Sequence, residues 1–333
     1  MKGGKQLSRE GTRLYYSMMK EGWLINKAFI YILLAVIFAG LELGCGGGGG
    51  GQSDPPPPGT GVIPQVNHVF LLVEENHSYS QVIGNAAMPY TNMLAQQYAL
   101  ATQYYANRFN SLPNYFMLTV GDLITMDDSF TGTVTADNVA RAVTKAGKSW
   151  KIYAENLPNA GYTGQTVGPY GKDHNPFAYF SDVQNSSSQA SNIVPFTQLA
   201  TDIQNNTLPD YALIVPNFEN DGHDCPAAIP NCSDTDKLQT VDTWISQNIG
   251  PLIQSTAFQS SVLIYTWDES DINDTTNPNE QVATIIVSPK VRSAFRSTTR
   301  YQHQSTLRLT MQLLGINDYP GAAATAPSMT EFF

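Results

Sequence analysis

Residues 68–73, His-Val-Phe-Leu-Leu-Val, form an apolar run of strand length, closed by Asn67 on one side and by Glu74 and Glu75 on the other. A strand without polar alternation has both faces covered, the position of a central strand in a parallel sheet flanked by helices. Residues 211–216 and 261–267 are further runs of this kind, and 149–154 and 281–288 also read as strands. Between them, residues 90–97, 114–123, 241–258 and 306–314 read as helices. Alternating strands and helices predict an α/β fold, a mostly parallel central sheet covered by helices on both faces. Ligands of such sheets gather at the carboxyl ends of the strands.

Those ends are unusually polar here. Glu74-Glu75-Asn76-His77 follows the first run, residues 217–224 with Glu219, Asp221, His223 and Asp224 follow the second, and Asp268-Glu269 follows the third. Helix capping needs one Asp or Ser per strand end, whereas converging carboxylates repel unless a cation sits between them. Glu75, Asn76, Asp268 and Glu269 are all oxygen donors, a set that suits Ca²⁺, Mg²⁺ or Mn²⁺ better than zinc. The turn at residues 110–115, Asn-Ser-Leu-Pro-Asn-Tyr, precedes an apolar helical run. Ser111 there reads either as an N-cap or as a nucleophile seated at the positive end of a helix, where an attacked phosphate is stabilised. His174, His223 and His303 stand in polar or turn-rich surroundings suited to holding phosphate oxygens or protonating a leaving group. His68 and His77 read as structural.

Composition sets further bounds. The first 45 residues carry six Lys/Arg and three Asp/Glu, which leaves the remainder at a formal charge of -13. An acidic body excludes non-specific nucleic-acid binding and calls for a metal if the substrate is a phosphate. Residues 28–41 are an apolar run behind a basic leader, too short for a comfortable transmembrane span and suited to a signal peptide. Residues 1–45 therefore read as a signal peptide or a lipoprotein signal ending at Cys45, with export to the periplasm, the outer membrane or the medium. A lipid anchor at Cys45 is the one membrane attachment implied. Residues 46–65 are a Gly/Pro-rich linker, and 66–333 a single domain. In an exported chain the close pair Cys225 and Cys232 reads as a disulfide.

Six motifs occur in order: Val73-Glu-Glu-Asn-His-Ser-Tyr79, Ser111-Leu-Pro-Asn-Tyr115, His174-Asn-Pro-Phe177, Asn220-Asp-Gly-His-Asp224, Thr266-Trp-Asp-Glu269 and Tyr301-Gln-His-Gln-Ser305. Together they resemble the bacterial phosphoesterase family of acid phosphatases and phospholipases C, within the alkaline phosphatase superfamily. The resemblance implies an alkaline-phosphatase-like sandwich, with Glu75, Asn76, Ser111, Asp268 and Glu269 as metal ligands and Ser111 as nucleophile. It further implies that His174, His223 and His303 line the phosphate pocket and that Asn114 is an oxyanion donor. Relatives often carry His-Pro before the serine, where this chain has Phe109-Asn110. The expected activity is metal-dependent hydrolysis of phosphate esters, acid-phosphatase-like. The alternatives are a phospholipase C acting on phosphodiesters of lipid head groups, or a non-catalytic binding protein tethered at the surface.

Overall fold

The computed structural model describes residues 61–333 except Pro278, so the expected signal segment and nearly all of the linker lie outside the described residues. An eight-stranded sheet has the order β5-β4-β6-β1-β7-β8-β2-β9. Its strands are β1 (His68–Glu74), β2 (Ala99–Ala101), β4 (Trp150–Ala154), β5 (Ile193–Pro195), β6 (Tyr211–Val215), β7 (Ser261–Trp267), β8 (Thr284–Val287) and β9 (Arg296–Ser297). A second, two-stranded sheet pairs β3 (Tyr104–Tyr105) with β10 (Tyr301–Gln302). Strands β6, β1 and β7 lie side by side and parallel, so the three acidic strand ends emerge together on one rim. Every residue of β6 and β7 is buried, which requires cover on both faces of the sheet.

The helices that matter are α1 (Pro89–Gln97), α2 (Ser111–Thr119), α3 (Val139–Lys145), α4 (Gln198–Asn205), α5 (Asp234–Asn248) and α6 (His303–Leu313). They pack in groups, α2 against α6 and α1 against α5. Helix α2 starts three residues earlier than the apolar periodicity suggests and stops before Gly121. That glycine has φ +73°, and a Cβ on it would lie 2.5 Å from the Pro320 carbonyl oxygen. Helix α5 likewise starts early, at a capping box in which Ser233 and Asp236 exchange hydrogen bonds. It ends at Asn248 rather than running on to Phe258, because Pro251 has no N–H to continue the ladder.

The run at 281–288 contributes β8, which pairs antiparallel with both β7 and β2. Among the described residues of 268–283 none is helical, so this connection leaves and rejoins the sheet at the acidic rim.

One buried charge ties the far edge of the sheet together. The Asp202 carboxylate on α4 accepts hydrogen bonds from Lys151 Nζ (2.5 Å), Tyr153 OH (2.6 Å), Thr207 Oγ1 (2.9 Å) and Gln198 Nε2 (3.1 Å). Burial alone raises its pKa, but these four donors overcome that and hold it below the usual value. A carboxylate held low stabilises the fold above its unfolded pKa, and that contribution is lost as pH falls through the folded value. Asp202→Ala is expected to cost about 3 kcal/mol at neutral pH in denaturant unfolding, with the gap to wild type narrowing below about pH 4.

Candidate active site

Helix α2 presents its first turn to the rim. Asn110 occupies the N-cap position without a side-chain cap bond, and Asp128 takes over that role from a distant loop. Its Oδ1 accepts from the Leu112 amide (2.9 Å) and its Oδ2 from Asn110 Nδ2 (2.7 Å). Ser111 is consequently not the cap. Its Oγ, in the first helical residue, donates to Glu75 Oε2 (2.9 Å) and lies 3.3 Å from Glu269 Oε1.

Asn114 corrects an expectation. Its Oδ1 accepts from the Asn107 and Arg108 amides, and its Nδ2 donates to the Arg108 and Asn110 carbonyls. With every hydrogen-bonding group of a fully buried amide committed, Asn114 holds the 107–110 loop and has nothing left to offer an oxyanion.

Glu75, Asp268 and Glu269 are buried, and one carboxylate oxygen of each lies within 4.8 Å of the others. Both oxygens of Asp268 and Glu269 Oε2 have no hydrogen-bond partner, and Glu75 Oε1 has only the long contact to His174 Nε2 at 3.3 Å. Burial first, then mutual repulsion, pushes the Glu75 and Glu269 carboxyls well above their usual range, and burial raises Asp268. Orphaned, converging oxygens are costly unless a cation takes the place of the missing donors. The donor set fits a hard divalent ion, with the Asn76 amide adjoining it through Glu269 Oε1.

The histidines differ sharply in situation. His174 is buried between carboxylates, with Nδ1 3.2 Å from Asp221 Oδ2 and Nε2 3.3 Å from Glu75 Oε1. Its ring stacks on Tyr115 at 5.3 Å. Burial pulls its pKa down, but the bond to Asp221 and the charges of Asp221, Asp173 and Asp268 outweigh that and raise it. His223 is exposed, its Nδ1 2.9 Å from Asp224 Oδ1, in the same ring cluster as His174.

His303 does not line an open pocket. At the start of α6 its Nε2 donates to the Asp268 carbonyl (2.6 Å) and its Nδ1 faces Tyr104 OH (3.1 Å), which meets Thr306 Oγ1 at 2.6 Å. Burial lowers its pKa to about 4 against the opposing pull of that carbonyl, so it is a neutral brace behind Asp268.

The 216–224 loop is pressed onto the first strand end. Gly222, at φ +97°, brings its backbone so near that a Cβ would lie 3.0 Å from the Glu75 carbonyl. The Cys225–Cys232 disulfide (2.08 Å) closes the next turn.

A profile of the phosphoesterase family matches residues 85–317. The chain belongs to the phosphoesterase family. This phosphoesterase is 27% identical over its whole length to the phosphatidylinositol-3-phosphatase of Mycobacterium tuberculosis, of which it covers 99%. It is 29% identical to a probable acid phosphatase of Kluyveromyces lactis, over 72% of this chain and 56% of that one, so it spans about half the length of the yeast relative. Among solved structures it is similar to an alkaline phosphatase superfamily protein of Vibrio parahaemolyticus (TM-score 0.53, 13% identity, 81% of this chain and 72% of that one). It is likewise similar to the lipoteichoic acid synthase LtaP of Listeria monocytogenes (TM-score 0.52, 12% identity, 84% and 77%). These last two likenesses concern the fold.

Three residues take parts here that the sequence does not assign them. Asp221, central to the 220–224 motif, holds His174 and also accepts from the His223 amide at 2.8 Å. Asp128 caps α2 from a loop with no local signal. His77 is buried, yet it lines a cavity of about 320 Å³ shared with Asn76, Glu269 and His223.

Proposed function

We propose that this phosphoesterase is an exported, metal-dependent phosphomonoesterase with Ser111 as nucleophile. The observation that carries the reading is the hydroxyl itself, held by Glu75 and Glu269 at the first turn of α2 rather than spent on capping. Names among the relatives, phosphatidylinositol-3-phosphatase and probable acid phosphatase, favour monoesters over diesters. The disulfide supports an oxidising compartment.

Glu75 Oε2 accepts the Oγ proton as Ser111 attacks phosphorus, and a phosphoserine forms while the ester P–O bond breaks. His223 is the exposed histidine of the cluster, and the Asp224 carboxylate at Nδ1 fixes the orientation of its ring. Nε2 then passes a proton to the departing alkoxide. In the second half water attacks phosphorus as His223 Nε2 takes back one proton from it, the phosphoserine P–O bond breaks, and Glu75 returns the other proton to Ser111 Oγ, releasing phosphate. A divalent ion held by Glu75, Asn76, Asp268 and Glu269, with Ser111 alongside, supplies neutralising charge for the phosphoryl oxygens. His174, clamped between Glu75 and Asp221, fixes the Glu75 carboxylate.

Purified protein assayed on p-nitrophenyl phosphate and bis-p-nitrophenyl phosphate tests this. Monoester turnover is expected to be at least about tenfold faster, abolished by chelator and restored by Ca²⁺, Mg²⁺ or Mn²⁺. Faster diester turnover would move the assignment to a phospholipase C. No turnover of either ester with any of the ions would leave the binding-protein alternative.

A further inference from the structure

His77 offers a group that the chemistry above leaves unused. Its Nδ1 lies 2.9 Å from the Glu75 carbonyl oxygen, which has no proton, so Nδ1 carries the hydrogen. In the neutral ring Nε2 is therefore a bare acceptor. Among the described residues nothing hydrogen-bonds it, although the side chain is buried at 3% exposure and its ring lines the cavity that begins at Asn76 and Glu269.

The cavity's chemistry is one-sided. Beyond the carboxylate cluster its wall carries the exposed Asp234 and also Asp271, whose oxygens accept from Gln81 Nε2 and from Asn273 and keep further lone pairs for a ligand. Its one ammonium, Lys237 Nζ, donates to the His223 carbonyl at 2.7 Å. Phe109, 41% exposed, provides an apolar face at the mouth. About 320 Å³ stands at the lower end of the roughly 300–1,000 Å³ of ligand pockets, room for a small head group rather than an acyl chain. A wall of acceptors matches hydroxyl donors and repels a second anion, while an aromatic face suits the C–H side of a polyol.

We propose that this cavity is the leaving-group subsite, shaped for a polyhydroxylated alcohol, with His77 Nε2 accepting a hydrogen bond from one of its hydroxyls. The inference rests on the phosphomonoesterase reading and adds the substrate class to it. His77 is thus a specificity residue that touches the alcohol, distinct from the groups that act on phosphorus.

Glycerol phosphate, sorbitol phosphate and n-propyl phosphate, all primary alkyl esters, isolate the hydroxyls from leaving-group reactivity. Wild-type enzyme is expected to favour the two polyol esters over n-propyl phosphate about tenfold in kcat/KM, the effect of a hydrogen bond or two. His77→Asn places an amide N–H near the position of Nδ1, keeping a donor for the Glu75 carbonyl while removing Nε2. It should cut the preference to below about threefold by slowing the polyol esters alone. Asp234→Ala, at the exposed rim, gives a second reading through a loss of about threefold on sorbitol phosphate if the buried variant does not fold.

Turnover of n-propyl phosphate without any polyol preference overturns the subsite while leaving the phosphomonoesterase standing. So does an equal loss on all three esters in His77→Asn, which would make His77 a brace for Glu75. Failure to hydrolyse any of the three overturns the subsite, and the parent reading falls with it where p-nitrophenyl phosphate is not turned over with any divalent ion either.

Discussion

Ser111→Ala is expected to lower turnover of p-nitrophenyl phosphate on the order of 10³-fold or more, with the fold and the response of stability to divalent ions retained. The size of the loss follows from what the residue does in the proposed route. Without Oγ no phosphoserine forms, and the residual rate is that of water attacking a merely well-positioned ester. The retained fold follows from local structure. Asp128, not Ser111, satisfies the start of α2, and its bonds to the Leu112 amide and Asn110 Nδ2 are untouched by the substitution. Alanine also propagates a helix better than serine, so unfolding midpoints should stay within about 1 kcal/mol of wild type. Full activity in the variant would remove Ser111 as nucleophile. A comparable loss of stability would instead show that the hydroxyl mainly braces Glu75.

How much of this was legible beforehand differs by level. The central strands could be read almost to the residue, because β1, β6 and β7 are buried on both faces and so lack polar alternation. Helix starts were harder. At α2 and α5 the first turn is set by Asp128 and by the Ser233–Asp236 box, while apolar periodicity begins only where the helix meets the core. The direction of β8 was not marked at all, since an apolar run looks the same whichever way it pairs.

The site shows the same division. Carboxylates at strand tips could be grouped because topology alone brings β6, β1 and β7 together. What a side chain does after arriving there depends on which hydrogen-bonding groups the folded loops bring to it, near or far in sequence. Asn114 looked like an oxyanion donor and is consumed by its own loop. His303 looked like a pocket histidine and sits behind Asp268, bonded on both nitrogens. Asp221 was in view as part of a motif, but its partner His174 is 47 positions away.

Asp268→Asn should separate function from stability most clearly. In the metal-free protein, both Asp268 oxygens are buried without donors beside Glu269 Oε2, which is equally unpartnered, and Glu75 Oε1, which has only His174 Nε2 at 3.3 Å. A neutral amide removes one charge from the cluster and brings N–H groups toward oxygens that lack them. Chelated Asp268→Asn is accordingly expected to be about 1–3 kcal/mol more stable than chelated wild type, read as a raised Tm, while activity falls on the order of 10³-fold. The pH dependence gives the same result an independent sign. Carboxyls raised above their unfolded values hold protons more tightly when folded, so they stabilise the metal-free fold at low pH and withdraw that support as pH rises. Chelated wild type should therefore lose Tm steadily from about pH 4 upward through neutrality, and Asp268→Asn should lose less. Saturating divalent ion should reverse the order, stabilising wild type by replacing the missing donors and leaving the variant nearly unmoved. A chelated variant less stable than chelated wild type at pH 7 would mean that these carboxyls are paired in some way other than through a cation, and the metal assignment at this rim would fall with it.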